Sequence, residues 1–164
     1  MIISKRNGRI LRTLTSVAGL ATGLMLVVST ASAGECPADQ VGVDVMQAGA
    51  TAPEGVTDEV IASISLGEQY GLEGRTLRMR RLVVEPGGVV PWHSHGERPA
   101  NIYVVEGKIT EYRSTCAVPI EHEEGEVTAE FGDLSHWWKN NSKKKTVLIS
   151  ADIINDPTQS DEMM

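Results

Sequence analysis

An all-β chain, folded as a sandwich or barrel of the jelly-roll kind, is predicted by three observations. Short segments of alternating apolar and polar residues follow one another from about residue 60, each closed by Gly, Pro, Asn or Asp. No stretch carries the apolar period of an amphipathic helix over any useful length. Two histidines one residue apart, His93 and His95, lie in such a segment, and a third, His136, lies in another. In a strand successive side chains alternate faces, so both imidazoles of an H-x-H pair point the same way, and a third from a neighbouring strand closes a facial metal site.

Taken in order, residues 1–33 are read as a leader and set apart from the fold. Lys5, Arg6, Arg9 and Arg12 make a basic start, Leu14 to Val28 is largely apolar, and Ala31-Ser32-Ala33 fits the small-x-small pattern of a secretory cleavage site. The apolar run is shorter than the roughly 20 residues of a membrane-spanning helix and contains Gly19 and Gly23. The expectation is a periplasmic or secreted protein, with no membrane attachment after cleavage. Residues 34–58, rich in Ala, Gly, Pro and acidic side chains, read as an extended arm with one short strand near Val41 to Met46. Residues 59–164 read as one barrel domain. Its expected strands are Val60–Leu66, Thr76–Glu85 ending at the Pro86-Gly87-Gly88 turn, Val89–His95, Ala100–Glu106, Lys108–Arg113, Glu126–Glu130, His136–Lys139 and Thr146–Ile153.

This alternation places His93 and His95 inside the barrel with Trp92 and Ser94 outside, and puts Trp138 on the side of His136 with Trp137 opposite. His122, among Glu121, Glu123 and Glu124, reads as a solvated loop residue, with a loop at the barrel mouth that brings it near the metal as the alternative. The long strand is ambiguous, because Arg78, Arg80 and Arg81 leave neither face apolar throughout. A bulge near Arg80-Arg81 resolves the conflict, with the arginines on the solvent face paired to surplus glutamates; an anion clamp for a carboxylate is the alternative.

The spacing resembles the two motifs of the cupin family. The first reads Gly, five residues, His-x-His, three or four residues, Glu, six residues, Gly; Gly87, His93, His95 and Gly107 fall in register, and Ala100 stands where the glutamate belongs. The second reads Gly, five residues, Pro-x-Gly, two residues, His, three residues, Asn; Gly125, His136 and Asn140 match, while Phe131 and Asp133 replace the proline and second glycine. Gly132 sits one place early and keeps the turn. The likeness covers roughly residues 60 to 154. It implies a cupin-type jelly-roll barrel with one divalent metal ion on His93, His95 and His136, Fe(II) favoured and Zn, Cu, Mn or Ni compatible. With Ala100 in the glutamate's place, three neutral imidazoles without an anionic ligand are expected, leaving the ion its full charge and an open position. Among cupins, such centres resemble iron-dependent oxygenases such as the thiol and diketone dioxygenases. Glu97, three residues before Ala100, is expected as a loop residue or a hydrogen-bond partner, with metal ligation as the alternative.

Two classes of function follow: an exported metal-dependent oxygenase or dioxygenase acting on a small chelating molecule, with Trp138 and Phe131 shaping its cavity, or a non-catalytic module binding a small ligand. No general base outside the ligand set stands out. Cleavage removes four basic and no acidic residues, taking the formal net charge from −7 to −11 and leaving 131 residues, enough for one core. So acidic a surface disfavours nucleic acid as a partner. Cys36 and Cys116 are expected to pair in an oxidising compartment, two free thiols being the alternative. Lys143-Lys144-Lys145 reads as a solvated turn. Edge strands at Val60–Leu66 and Val147–Ile154 suggest a homodimer, and a monomer whose arm covers its own edge is the competing arrangement.

Overall fold

The computed structural model describes residues 34–156, so the leader assigned to residues 1–33 lies outside the described residues. Among these, the regular structure is eight strands, β1 (Glu54–Ser65), β2 (Arg75–Ser94), β3 (Ala100–Glu106), β4 (Lys108–Arg113), β5 (Ile120–Glu123), β6 (Val127–Glu130), β7 (Ser135–Lys139) and β8 (Thr146–Asn155). Every pairing is antiparallel, in the order β5-β4-β7-β2-β8-β3-β6, with β1 against β2. The strands at the two ends of this order, β5 and β6, follow each other in sequence, so the sheet curls on itself as an antiparallel barrel.

Pro86-Gly87-Gly88 does not end a strand as expected; β2 runs through it for 20 residues. Two glycines make this passage feasible. Gly87 has φ +82°, and a Cβ on Gly88 would lie 2.8 Å from the Glu85 carbonyl oxygen and 2.9 Å from that of Gly55. The first half of β2 pairs with β8 and the second half with β7, so one strand carries the curl and brings His93 opposite His136.

The expected bulge falls on the other side of the ladder. β2 pairs with β8 without interruption from Arg75 to Val84, whereas β1 slips between Val60 and Ala62. Arg78, Arg80, Leu82 and Val84 share the inward face, and Arg81 is exposed. The solvent-face reading of Arg78 and Arg80 is thereby corrected: each meets a carboxylate at one end of the interior. Arg78 donates to both oxygens of Asp152 at 3.1 and 2.9 Å, and Arg80 to Asp58.

The apolar core joins Leu82, Val84, Val90, Ala100, Ile102, Val104, Ile109, Trp138 and Leu148. Fully burying one such aliphatic side chain is worth about 1.5–3 kcal/mol. Phe131, expected beside the cavity, is instead 67% exposed in the turn after β6, where Gly132 takes φ +64°. Asn140 closes the second motif from inside: its amide donates to the Val84 and Lys144 carbonyls, and its oxygen accepts from Ser142. The arm contributes one isolated bridge, Val41 to Cys116, in place of the expected short strand. Cys36 and Cys116 are joined by a disulfide with a Cα separation of 5.8 Å. Farther along the arm, the Ala50 carbonyl accepts from Trp92 N–H.

Candidate metal centre

Each of the three histidines is placed by a main-chain feature of its own. His93 stands near the end of β2 as the cross-strand partner of His136 on β7. His95 lies one residue past β2, where its N–H donates to the Leu134 carbonyl at 2.8 Å. The Nε2 atoms converge: His93 to His95 is 3.0 Å, His93 to His136 is 3.1 Å, and His95 to His136 is 3.0 Å. The structure therefore brings together the three imidazoles that the sequence singled out.

Their far nitrogens determine what those near nitrogens are. His93 Nδ1 is 2.8 Å from the Pro91 carbonyl oxygen, and His95 Nδ1 is 2.8 Å from that of Arg98. A carbonyl only accepts, so both Nδ1 atoms carry protons and, in the neutral ring, both Nε2 atoms present lone pairs. His136 Nδ1 donates to Glu111 Oε1. Three acceptors face one another with no proton left to share, and a cation satisfies all three at once. Burial, then the neighbouring His136, pushes the His93 pKa down to about 3; burial, followed again by His136, lowers His95 to about 3. Burial also lowers His136 against the pull of Glu111. The rings are thus held in the neutral form that binds metal. Nitrogens about 2.1 Å from one ion are about 3.0 Å apart at right angles and about 3.4 Å apart in a tetrahedron. The observed spacing is one that a single ion can bridge.

Two carboxylates that the sequence did not single out lie close to the trio. Glu111 and Glu130, on β4 and β6, are buried beside the trio. Glu111 binds His136 Nδ1 through one oxygen and His122 Nε2 through the other at 2.8 Å, and Arg113 Nε is 2.7 Å away. Burial would raise its pKa, but the hydrogen bonds from His122 and His136 and the charge of Arg113 hold it well below the usual carboxylate range. Glu130 shows the opposite behaviour: burial, then the neighbouring Glu111 charge, pushes it well above that range. Its Oε2 lies 3.0 Å from His95 Nε2, and its Oε1 has no hydrogen-bond partner among the described residues.

His122 is corrected from a solvated loop to a buried residue of β5, only 1% exposed and tilted against Trp138 with ring centres 4.8 Å apart. Glu97 is exposed, its carboxylate 3.4 Å from Asn155 Nδ2, in keeping with the loop reading. Trp138 is buried on the His136 side, and Trp137 stacks outside on Tyr112 at 4.1 Å. The signal for the missed residues was strand parity: Glu111 alternates with Ile109, Glu130 with Thr128, and both apolar or small neighbours point inward. A cavity of about 30 Å³ adjoins His93, His95 and Glu130, walled by Leu82, Val90, Ile102, Trp138 and Leu148, with Arg80 and Arg98 at its edge.

Residues 80–152, a span that contains all three histidines, match the family model described as a cupin domain. No curated protein matches the chain. Among solved structures, the chain is similar to the cupin domain of Schizosaccharomyces pombe Cnp3, with 12% identity, 65% of this chain and 69% of that one covered, and a TM-score of 0.49. It is also similar to the cupin domain of an XRE family transcriptional regulator from Enterobacter cloacae, with 11% identity, coverages of 60% and 96% and a TM-score of 0.47. A predicted oxalate decarboxylase from Thermotoga maritima gives 15% identity, coverages of 63% and 99% and a TM-score of 0.43.

Proposed function

We propose that this cupin is an exported protein holding one divalent metal ion, Fe(II) in the favoured case, on His93, His95 and His136, and serving as an oxygenase for a small substrate that chelates the ion. The observation that carries the reading is the convergence of three Nε2 lone pairs whose Nδ1 atoms are committed as donors elsewhere. Held there, such an ion would supply Lewis acidity toward a chelating substrate and the redox chemistry of an oxygenase.

The chain's own residues do the rest. The Pro91 and Arg98 carbonyls and the Glu111 carboxylate fix ring orientation and tautomer, which keeps the donors aimed without reorganisation. Leu82, Val90, Ile102, Trp138 and Leu148 exclude bulk water from the cavity. Arg98, largely desolvated, lines the same space and favours a substrate with an ionised group. The cavity of about 30 Å³ has room for about two water-sized ligands, so a larger substrate needs the 96–99 segment or a side chain to move. The same small volume favours, as a second reading, a non-catalytic module for a small ligand.

Metal analysis of protein purified from a periplasmic fraction, with sequencing of its first residues, tests export and metal together. One equivalent of iron, a first residue at Gly34, and oxygen uptake with a thiol, diketone or phenolic acid are expected. His93→Ala and His136→Ala should each abolish stoichiometric metal while the barrel still folds on its apolar core. Unchanged metal in both variants would defeat the site, and metal without oxygen uptake on any substrate would leave the binding module.

A further inference from the structure

We infer that the outer face of the sheet formed by β1, β2, β8, β3 and β6 is an interface on which a second copy of this chain packs, related by a two-fold axis. This surface lies outside the barrel and takes no part in the metal centre. Register across the five strands gives its composition. Ala62, Met79, Ala151, Asn101 and Ala129 form one row of direct cross-strand partners. Glu59, Arg81, Ile149, Tyr103 and Val127 form the next, and Ile64, Leu77 and Ile153 flank the first row on its other side. Direct partners share a face. This one points outward, since Arg80, Ser150, Ile102 and Thr128, which alternate with it, are buried. Ile64, Leu77, Met79, Tyr103 and Val127 are between 37 and 61% exposed. In a chain with 22 acidic and 15 basic residues, the three rows hold only Glu59 and Arg81 as charges. Depletion of charge around exposed apolar and aromatic side chains is the composition of an interface centre.

The opposite outer face is covered by the chain's own arm. There the Ala50 carbonyl accepts from Trp92 N–H, and a Cβ on Gly49 would lie 2.2 Å from Trp137 Cδ1. For the face on β1, β2, β8, β3 and β6 the eight residues after Asp156 are a poor match, being largely polar with Asp161 and Glu162 among them. A second copy matches. Glu59 and Arg81 are one charge of each sign, neighbours across the ladder, and neither is in an ion pair among the described residues. A two-fold axis along their row, across the strands, keeps all five strands overlapped and brings the two pairs together as a group of four charges, two of each sign. Five strands about 4.8 Å apart, over the six residues from Leu77 to Val83 at about 3.4 Å each, cover roughly 24 by 20 Å. Accessible area exceeds that projection, which places the contact near the roughly 600 Å² per copy of the smaller specific interfaces, so micromolar self-association is expected. β8 lies between β2 and β3, and the free edge of β1 is interrupted by the register shift between Val60 and Ala62, so the dimer expected from exposed edges is instead one of faces.

Sedimentation equilibrium of the purified protein between about 1 and 100 µM should show monomer passing to dimer. Met79→Asp, an outward change that leaves the core alone, should weaken the dimer at least about tenfold. Arg81→Glu and Glu59→Arg should each stay monomeric over that range, because four like charges then meet, whereas an equimolar mixture of the two should recover dimer to within about threefold of wild type. Circular dichroism checks that each variant keeps the fold. A monomer at every concentration would overturn the inference, and so would a dimer insensitive to Met79→Asp, which would place the contact at the β1 edge. Failure of the mixture to associate would overturn the two-fold arrangement. A dimer that appears only after removal of residues 157–164 would overturn it as well, since that segment would then be the occupant of the face.

Discussion

The barrel interior contains two buried populations that behave in opposite ways. Around Val84, Val104, Ile109 and Leu148 the side chains are apolar, and each contributes through removal of its surface from water. Around His136, Glu111, His122 and Glu130 the side chains are polar or ionisable and equally buried. There burial alone is costly, and it is offset only by specific partners. The apolar group tolerates exchange of one hydrocarbon for another at small cost, whereas the polar group depends on every atom having its donor, acceptor or ion. What separates them is not depth but the number of partners each atom requires.

The comparison is sharpened most strongly by cutting into the apolar side. Ile109→Ala, at a residue 1% exposed, should lower unfolding free energy by about 2–5 kcal/mol in urea titration while leaving divalent metal affinity within about threefold. An equal loss of affinity would mean that the two populations are not separable. Cutting into the polar side should reverse the pattern. Glu111→Gln cannot accept from both His122 and His136 as an anion does, so metal affinity should fall about 10–100-fold, with a smaller loss of stability of about 1–3 kcal/mol. Calorimetric titration showing wild-type affinity would remove Glu111 from its role in aiming His136.

The smallest effect is one of pH on the metal-free protein. His93 and His95 are held near pKa 3 in the fold, whereas an unfolded histidine titrates near about 6.5. Between these values the unfolded chain binds protons that the folded chain does not, so stability is full above about pH 6.5 and declines as pH falls toward about 3. Melting temperature followed across that window should drop more steeply in wild type than in His93→Ala/His95→Ala. Parallel profiles would show that neither ring is kept neutral by the fold.

Strand alternation and turn residues made the barrel legible because the side-chain period of a strand is a local property of the backbone. The H-x-H pair declared a shared face for the same reason, and the motif spacing brought His136 into the set. Asn140 was legible as a motif residue, Gly132 as a turn residue, and Cys36 with Cys116 as a pair. The passage of β2 through Pro86-Gly87-Gly88 was not legible, because those residues carry turn signals and only pairing with β1, β7 and β8 on either side reveals a continuous strand. His122 was misjudged through its neighbours: Glu121, Glu123 and Glu124 suggest solvent, yet alternation in a four-residue strand buries every second residue.

Sequence by itself determined the strand pattern, the acidic balance of the chain and the three imidazoles with their common facing, since each follows from residue type and spacing along the backbone. Only tertiary structure decided which carboxylates share the interior with them. Glu111 reaches His136 because β4 pairs with β7, and Glu130 reaches His95 because β6 lies across β3 at Ala100. Cross-strand register joins residues far apart in the chain, and whether a buried carboxylate is tolerated depends on partners that register alone supplies.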